Sequence, residues 1–461
     1  MTKDYARYSY WLDTCGDDLT PRAPLDGSIE VDVGILGAGF TGLWTAYHLL
    51  RRDPSLKVAV VEAEIAGFGA SGRNGGWCFS GFPFPLAKLR AQYGDDAARA
   101  VMRQMYASVD NVGAVCREEG IDAHYAKSGT LEIARAPHHL PHLLEWYREY
   151  QELGLADHYA LLDVEGTAEY LRVAGMEGSL LIKEGATVHP ARLARGLAHA
   201  VERHGGTIYE QTRVTDYTPG PRPRLITERG EVSARAIVLA GEAYLAQLPK
   251  LQRQIVPMTS HIVITEPLAD DIWQEIGWEG RQVIGSSGTM SGYLNKTVDG
   301  RIAFGPYRGV YPYGSHISDA LDRQEAIFAH GRAAALDWFP LIRGARFTHA
   351  WGGVFGIPRD RMPTMSYDPK TGIATGRGYT GEGVATANLS GRVLADLISG
   401  ADSELTHLPM TAHHSPDWEP EPLRWLGVNA VRKSLARVER KAEQTGRYPD
   451  KPTLAQRIWR R

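Results

Sequence analysis

The chain has 461 residues, 43% of them hydrophobic and 23% charged, with a formal net charge of −3, a composition that builds two or three globular domains or two interleaved ones. The slight negative balance argues against a general nucleic-acid binder, and no apolar run is long enough to span a bilayer. The three cysteines lack metal-ligand spacing and the opening "MTKDYARYSYWLDTCGDD" holds no apolar core of signal-peptide length, so the expectation is a cytoplasmic protein without a metal site or disulfide framework.

In chain order, residues 29 to 76 predict a βαβ beginning. "GILGAGFTGLWTAYHLL" leads from apolar residues into Gly37, Gly39 and Gly42, and then into a helical apolar pattern at Leu43, Ala46, Tyr47 and Leu50. This GxGxxG spacing turns a strand tightly into a helix. It lets the backbone approach a pyrophosphate that the helix N-terminus stabilises. A second buried strand, "KVAVVEAE", ends in Glu62, twenty residues past Gly42, where a carboxylate meets a ribose hydroxyl. Residues 86 to 176 read as largely helical, with a short strand near "SGTLEIA". "HPARLARGLAHAVERHGG" places Leu193, Leu197 and Val201 on one helical face, with His189 at its start. "TIYEQTRVTDY" and "RAIVLAGEAY" read as strands, and from Gln254 to Gly309 the pattern turns β-rich, which predicts a separate sheet. "GIATGRGYTGEGVATANLSGRVLADLISG" restores the strand, glycine loop and helix order. From Pro422 onward eleven Lys/Arg against three Asp/Glu read as a solvated basic helix packed on the body.

Three stretches favour a flavin dinucleotide over a nicotinamide one. "FGASGRNGGW" offers a glycine-rich loop soon after the acidic strand end, "QTRVTDY" offers an edge strand, and "GRGYTGEGVATA" opens a helix near Glu382. A helix N-terminus aimed at a flavin ring stabilises the negative charge that appears on reduction. With "SYWLDT", "IVPMTSHIVITEPL", "DGRIAFG", "WGGVFGIPRDRMP" and "WEPEPLRWLG", these stretches resemble the FAD-dependent amine oxidoreductases of the D-amino-acid oxidase and glycine/sarcosine oxidase superfamily, in its γ-glutamylputrescine oxidase-like branch.

The resemblance implies an α/β (α+β overall) chain with a Rossmann-like FAD-binding domain built from separated segments, 29–85, 186–245 and 340–400. It implies an inserted mixed or antiparallel substrate platform from 86–185 and 246–339, and a helical extension at 401–461. It implies FAD contacts at Gly37, Gly39, Phe40, Thr41, Gly42, Glu62, Ala63, Ser71, Arg73, Asn74, Gly75, Gly76, Val214, Gly378, Tyr379, Thr380, Gly381, Gly383 and Val384. Some relatives attach flavin through a late cysteine or through a histidine just after the second strand. The last cysteine here is Cys116 and Asn74 stands at the second place, so noncovalent FAD is expected. The implied chemistry is oxidation of a primary or secondary amine. Oxygen is the expected acceptor; an electron carrier is the alternative, because the lysine that some sarcosine oxidases hold above the flavin falls here near Ala303. Tyr293, Trp351 and Tyr379 are candidate walls of the amine site, and His261, Lys296 and Arg308 candidate partners for a remote anionic group. The competing reading of each is packing within the fold. Arg359, Asp360 and Arg361 read as a local ion-pair cluster.

Overall fold

Val33–Leu36 and Val58–Val61 are short apolar runs that pair in parallel, the behaviour of strands covered on both faces. The computed structural model describes residues 3–288 and 292–459. The two strands sit inside a six-stranded sheet in the order Thr364–Asp368, Ile373–Arg377, Ala236–Leu239, Val33–Leu36, Val58–Val61, Thr207–Tyr209. All its pairings are parallel except that of the edge strand Thr364–Asp368. On one face lie the helices Phe40–Arg52, Pro190–Arg203 and Gly383–Ser399, whose apolar stripes share a core cluster with Val33, Ile35, Val58 and Val60. On the other face Ala59, Val61, Ile237 and Leu239 pack against Leu225 and Val232 of a four-stranded sheet. This sheet includes Val214–Thr218 as an edge strand. The sequence "TIYEQTRVTDY" therefore splits between two sheets, with Gln211 at a φ of 51° between them.

The platform is an eight-stranded sheet in the order Phe347–Ile357, Val256–Thr265, Ile302–Gly305, Tyr293–Lys296, Val283–Ser286, Thr130–Ala134, Gly178–Ile182, Tyr159–Leu162. Its pairings are antiparallel except the one joining Val283–Ser286 to Thr130–Ala134. One face buries Leu131, Ile133, Ile284, Leu294, Ile302, Phe304 and Val263 against Phe328, Ala335 and Trp338 of the helix Glu325–Trp338. The strand alternation turns Glu132, Gly285 and Tyr293 to the opposite face.

Two pairings cross the segment boundaries expected from sequence. Phe347–Ile357, assigned there to the segment 340–400, pairs along its length with Val256–Thr265 and belongs to the platform sheet. Leu86–Glu118, assigned to the segment 86–185, buries Val101, Met105, Val109 and Val112 in the cluster that holds Leu389 and Val393 of the nucleotide-side helix. A strand pairs with whichever edge is open and a helix packs on whichever stripe is free, and neither choice is written locally. The chain ends in the helices Leu423–Thr445 and Leu454–Trp459. Buried Glu439 there accepts hydrogen bonds from the Tyr448 hydroxyl, whose ring lies against His139 and His142. Among the described residues no helix is long and apolar enough to cross a membrane.

Candidate active site

The first turn is built so that only glycine fits it. Gly37 has a φ of 99°, and a Cβ there would stand 2.9 Å from the Ala240 carbonyl oxygen; a Cβ on Gly42 would stand 2.0 Å from the Gly37 carbonyl oxygen. Gly39 caps the helix Phe40–Arg52 without a side-chain hydrogen bond. The Phe40 N–H instead donates to Ser71 Oγ at 2.7 Å, which ties the turn to the second glycine loop. Glu62 receives N–H donors from Ala38 and Glu64, each at 2.9 Å. Burial pushes its carboxyl up to about 7 against the pull of those two donors.

That second loop is held from several sides. The Asn74 side chain donates to the Ala70 and Ser71 carbonyls and accepts from the Gly76 N–H at 2.8 Å. Asn295 donates to the Gly75 carbonyl at 3.0 Å, and Trp11 and Trp351 donate to the Asn74 and Arg73 carbonyls at 2.7 and 2.8 Å. The Tyr293 ring lies directly over Gly75, where a Cβ would meet it at 2.4 Å; its hydroxyl pairs with Ser260 Oγ at 3.0 Å.

A third loop closes the arrangement. The Glu242 carboxylate accepts from the N–H groups of Gly378 and Tyr379 at 2.9 and 3.2 Å, and the helix Gly383–Ser399 starts at Glu382 with no side-chain cap. Glu62, Glu242, Arg361, Arg377 and Glu382 are all deeply set among neighbouring elements yet keep accessible surface, as groups lining an interior cleft do. Tyr307 shows this most strongly: it is 46% exposed although protein surrounds it, and burial holds its hydroxyl well above the usual range. Burial raises Glu382 to about 7, and Arg361 opposes that rise. Turn, loops and cleft together form a cradle for a dinucleotide with a platform beside it.

Comparison with known proteins agrees. A model of the family described as DAO, FAD dependent oxidoreductase, matches residues 32–397. The chain belongs to the DAO family. It is 30% identical over 397 residues to the gamma-glutamylputrescine oxidoreductase of Escherichia coli (strain K12), covering 84% of this chain and 90% of that one. It is 23% identical to the glycine oxidase of Geobacillus kaustophilus, covering 83% and 97%. The crystal structure of glycine oxidase from Geobacillus kaustophilus superposes with a TM-score of 0.70 at 20% identity over 84% of this chain and all of that one, which shows the shared fold. This DAO-family chain is thus an FAD-dependent oxidoreductase with the mixed α/β fold expected from sequence.

FAD fits the residues present. The turn at Gly37, Gly39 and Gly42 leaves no room for a side chain, the N-cap residues Gly39 and Glu382 make no side-chain cap of their own, and Glu62, a partly accessible residue, stands beside the turn on the Ala38 N–H. Thr41 Oγ1 pairs with the Tyr379 hydroxyl at 2.8 Å, joining the fingerprint helix of this DAO-family protein to the third loop. Thr380 and Gly381 have φ values of 52° and 102°, and Gly383 opens the helix. Ala63 follows the second strand, and Val214 begins an edge strand paired with Thr227. Val384 is buried in the helical core, so its side chain is committed to packing.

Several expected site residues stand elsewhere. Arg73 donates to Asp322 at 2.6 Å and to the Gly352 carbonyl at 3.1 Å; its side chain clamps loop to platform and is not free for a diphosphate. Tyr379 is bound to Thr41 and Trp351 is buried with its indole on Arg73, so neither ring walls an amine site. His261 pairs with the Leu321 carbonyl at 2.8 Å and meets the Phe328 ring, on the platform face away from the cleft. Lys296 lies on that same far face, donating to the Trp278 carbonyl and covering the Trp273 ring. Arg308 is exposed. The expected Arg359, Asp360 and Arg361 cluster is dispersed: Arg359 pairs with Glu419, Asp360 with His413, and Arg361 faces Glu382. Glu132, Glu242, Arg361, Tyr307 and Glu382 were not selected from sequence. Glu242 had a usable signal, a carboxylate three residues beyond the end of the buried strand Ala236–Leu239.

Proposed function

We propose that this protein oxidises a primary or secondary amine at the carbon next to nitrogen, with noncovalent FAD and with oxygen as acceptor. In this reading Gly37, Gly39, Gly42 and the N-terminus of Phe40–Arg52 hold the pyrophosphate. Glu62 meets the ribose, Ala63 and Val214 line the adenosine end, and the backbone from Gly378 to Gly383 serves the pyrimidine end. Bound FAD supplies a two-electron acceptor for the hydride lost from the amine carbon. The amine must arrive unprotonated, since only a free lone pair assists departure of the hydride. A cleft walled by Tyr293 and Tyr307 disfavours the ammonium form by desolvation. The Tyr293 hydroxyl, raised to about 12 by burial, keeps its proton and hydrogen-bonds to Ser260, which fixes the ring over Gly75. The product imine takes up water and gives a carbonyl compound plus an amine or ammonia. The electron pair passes with two protons to oxygen and gives hydrogen peroxide.

The observation that carries this reading is the Tyr293 ring packed on Gly75, which puts an aromatic wall of the platform against the loop of the FAD cradle. The gamma-glutamylputrescine oxidoreductase relative is named for an amine-bearing substrate, which supports the same class here. Ala303 favours a second reading, electron transfer to a carrier, because it packs with Trp351 on the cleft side of the platform while Lys296 lies on the far side. Oxygen uptake and peroxide formation with a panel of amines separate the two. One peroxide per amine oxidised is expected, and turnover only with an added dye acceptor would replace oxygen by a carrier.

A further inference from the structure

Four residues lie in one row across the cleft face of the platform. Glu132 is in register with Gly285, Gly285 with Tyr293, and Tyr293 with Gly305. Neighbouring strands are about 4.8 Å apart, so the row runs from the Tyr293 ring to the Glu132 carboxyl in two steps. Gly285, with no side chain, leaves room that the Glu132 carboxylate itself fills. A Cβ there would stand 2.3 and 2.4 Å from the two Glu132 carboxylate oxygens, so that carboxylate leans over the glycine toward Tyr293.

Glu132 is only 7% exposed, and among the described residues it has no hydrogen-bond or ion-pair partner. A carboxyl set this deep without a protein partner is costly to ionise, and a cation brought beside it lowers that cost. The other groups facing it are accounted for. Arg361 offsets Glu382 and is electrostatically linked to Tyr307, while Tyr293 is bound to Ser260. Burial and the nearby Glu382 push Glu132 up to about 8, so that near neutrality it keeps its proton until a cation comes beside it.

We propose that Glu132 receives a second, non-reacting ammonium group of the substrate, which makes the preferred substrate a cationic amine with two separated nitrogens. The inference rests on the amine-oxidation reading above and names the substrate class for that same site. The reacting nitrogen lies beside Tyr293 and Gly75, and the chain of the substrate spans the strand spacing from there to the carboxylate that covers Gly285. Its far ammonium takes the Glu132 carboxylate as a charge-assisted partner.

The test compares primary alkylamines, α,ω-diamines and ω-amino acids of matched chain length on the FAD-loaded full chain, with Glu132→Gln and Gly285→Ala beside the wild type. Glu132→Gln keeps the shape and removes the charge; Gly285→Ala keeps the charge and displaces the carboxylate. Wild type is expected to prefer the diamine in kcat/KM, and both variants to lose about tenfold of that preference, through KM, with an unchanged flavin spectrum. A preference that survives both substitutions, or a wild type that prefers ω-amino acids, overturns the assignment of Glu132. If no amine of any class reduces the flavin of the wild type, the amine-oxidation reading itself falls, and the proposal with it.

Discussion

Glu62 holds two main-chain N–H groups and still keeps accessible surface beside the Gly37–Gly42 turn, which suits a carboxyl that also meets a ribose. Glu62→Ala is expected to weaken FAD binding about tenfold or more, the scale of a charge-assisted hydrogen bond. Fluorescence titration of the apoprotein with FAD measures it, and unchanged affinity would remove Glu62 from the cradle. At this scale the fingerprint was legible because its logic is local: three glycines at fixed spacing and an acid at a fixed distance. The substrate side was not, because it depends on strand parity and distant partners. His261 and Lys296 fall on the platform face that carries Val263 and Leu294, which no spacing in their own strands announces. Tyr379 sits beside a glycine loop in sequence, yet its hydroxyl is taken by Thr41, 338 residues away. Glu132, Arg361 and Glu382 meet from three separate segments, and each alone reads as an ordinary charged residue.

The helical layer over the six-stranded sheet is tied together at one carboxylate. Glu119, just beyond the helix Leu86–Glu118, accepts from the Tyr47 hydroxyl of Phe40–Arg52 at 2.9 Å, and from Arg203 and His204 at the end of Pro190–Arg203, each at 2.8 Å. Burial raises its carboxyl, but the hydrogen bonds from His204, Arg203 and Tyr47 outweigh that and hold it near 2, below the ordinary 4.5. Because the folded value is depressed, its stabilisation is present in full above about pH 4.5 and fades as pH falls toward 2. Glu119→Gln should therefore cost about 1–2 kcal/mol near neutrality, after discounting for solvent screening. Urea unfolding of both proteins across this range should show the difference shrinking as pH falls. A difference that stays constant through acid would mean that Glu119 acts by packing alone. At the element scale the βαβ start and the final strand, loop and helix were readable from apolar period and glycine placement. The sheet membership of Phe347–Ile357 was not, because pairing is decided between segments.

Across the whole molecule, one buried ion pair joins the FAD-side loop to the platform. Arg73 is 3% exposed and bonds Asp322, which the chain reaches only after most of the platform strands. Asp322→Asn leaves that guanidinium without its charge partner and is expected to cost about 3 kcal/mol of stability, well above the worth of a surface pair. It should also loosen FAD, since the loop it anchors carries Gly75 and Gly76. Thermal unfolding with and without added FAD reads both effects; a loss below about 1 kcal/mol would mean that loop and platform are held together without the clamp. The central claim joins the cradle to the cleft: a flavin held by the nucleotide layer is reduced by an amine lodged against the platform. Anaerobic addition of amines to the FAD-loaded protein, followed by its visible spectrum, tests that claim most directly. Bleaching of the oxidised flavin band by at least one amine is the expected result. A band that stays intact with every amine while FAD remains bound would contradict it.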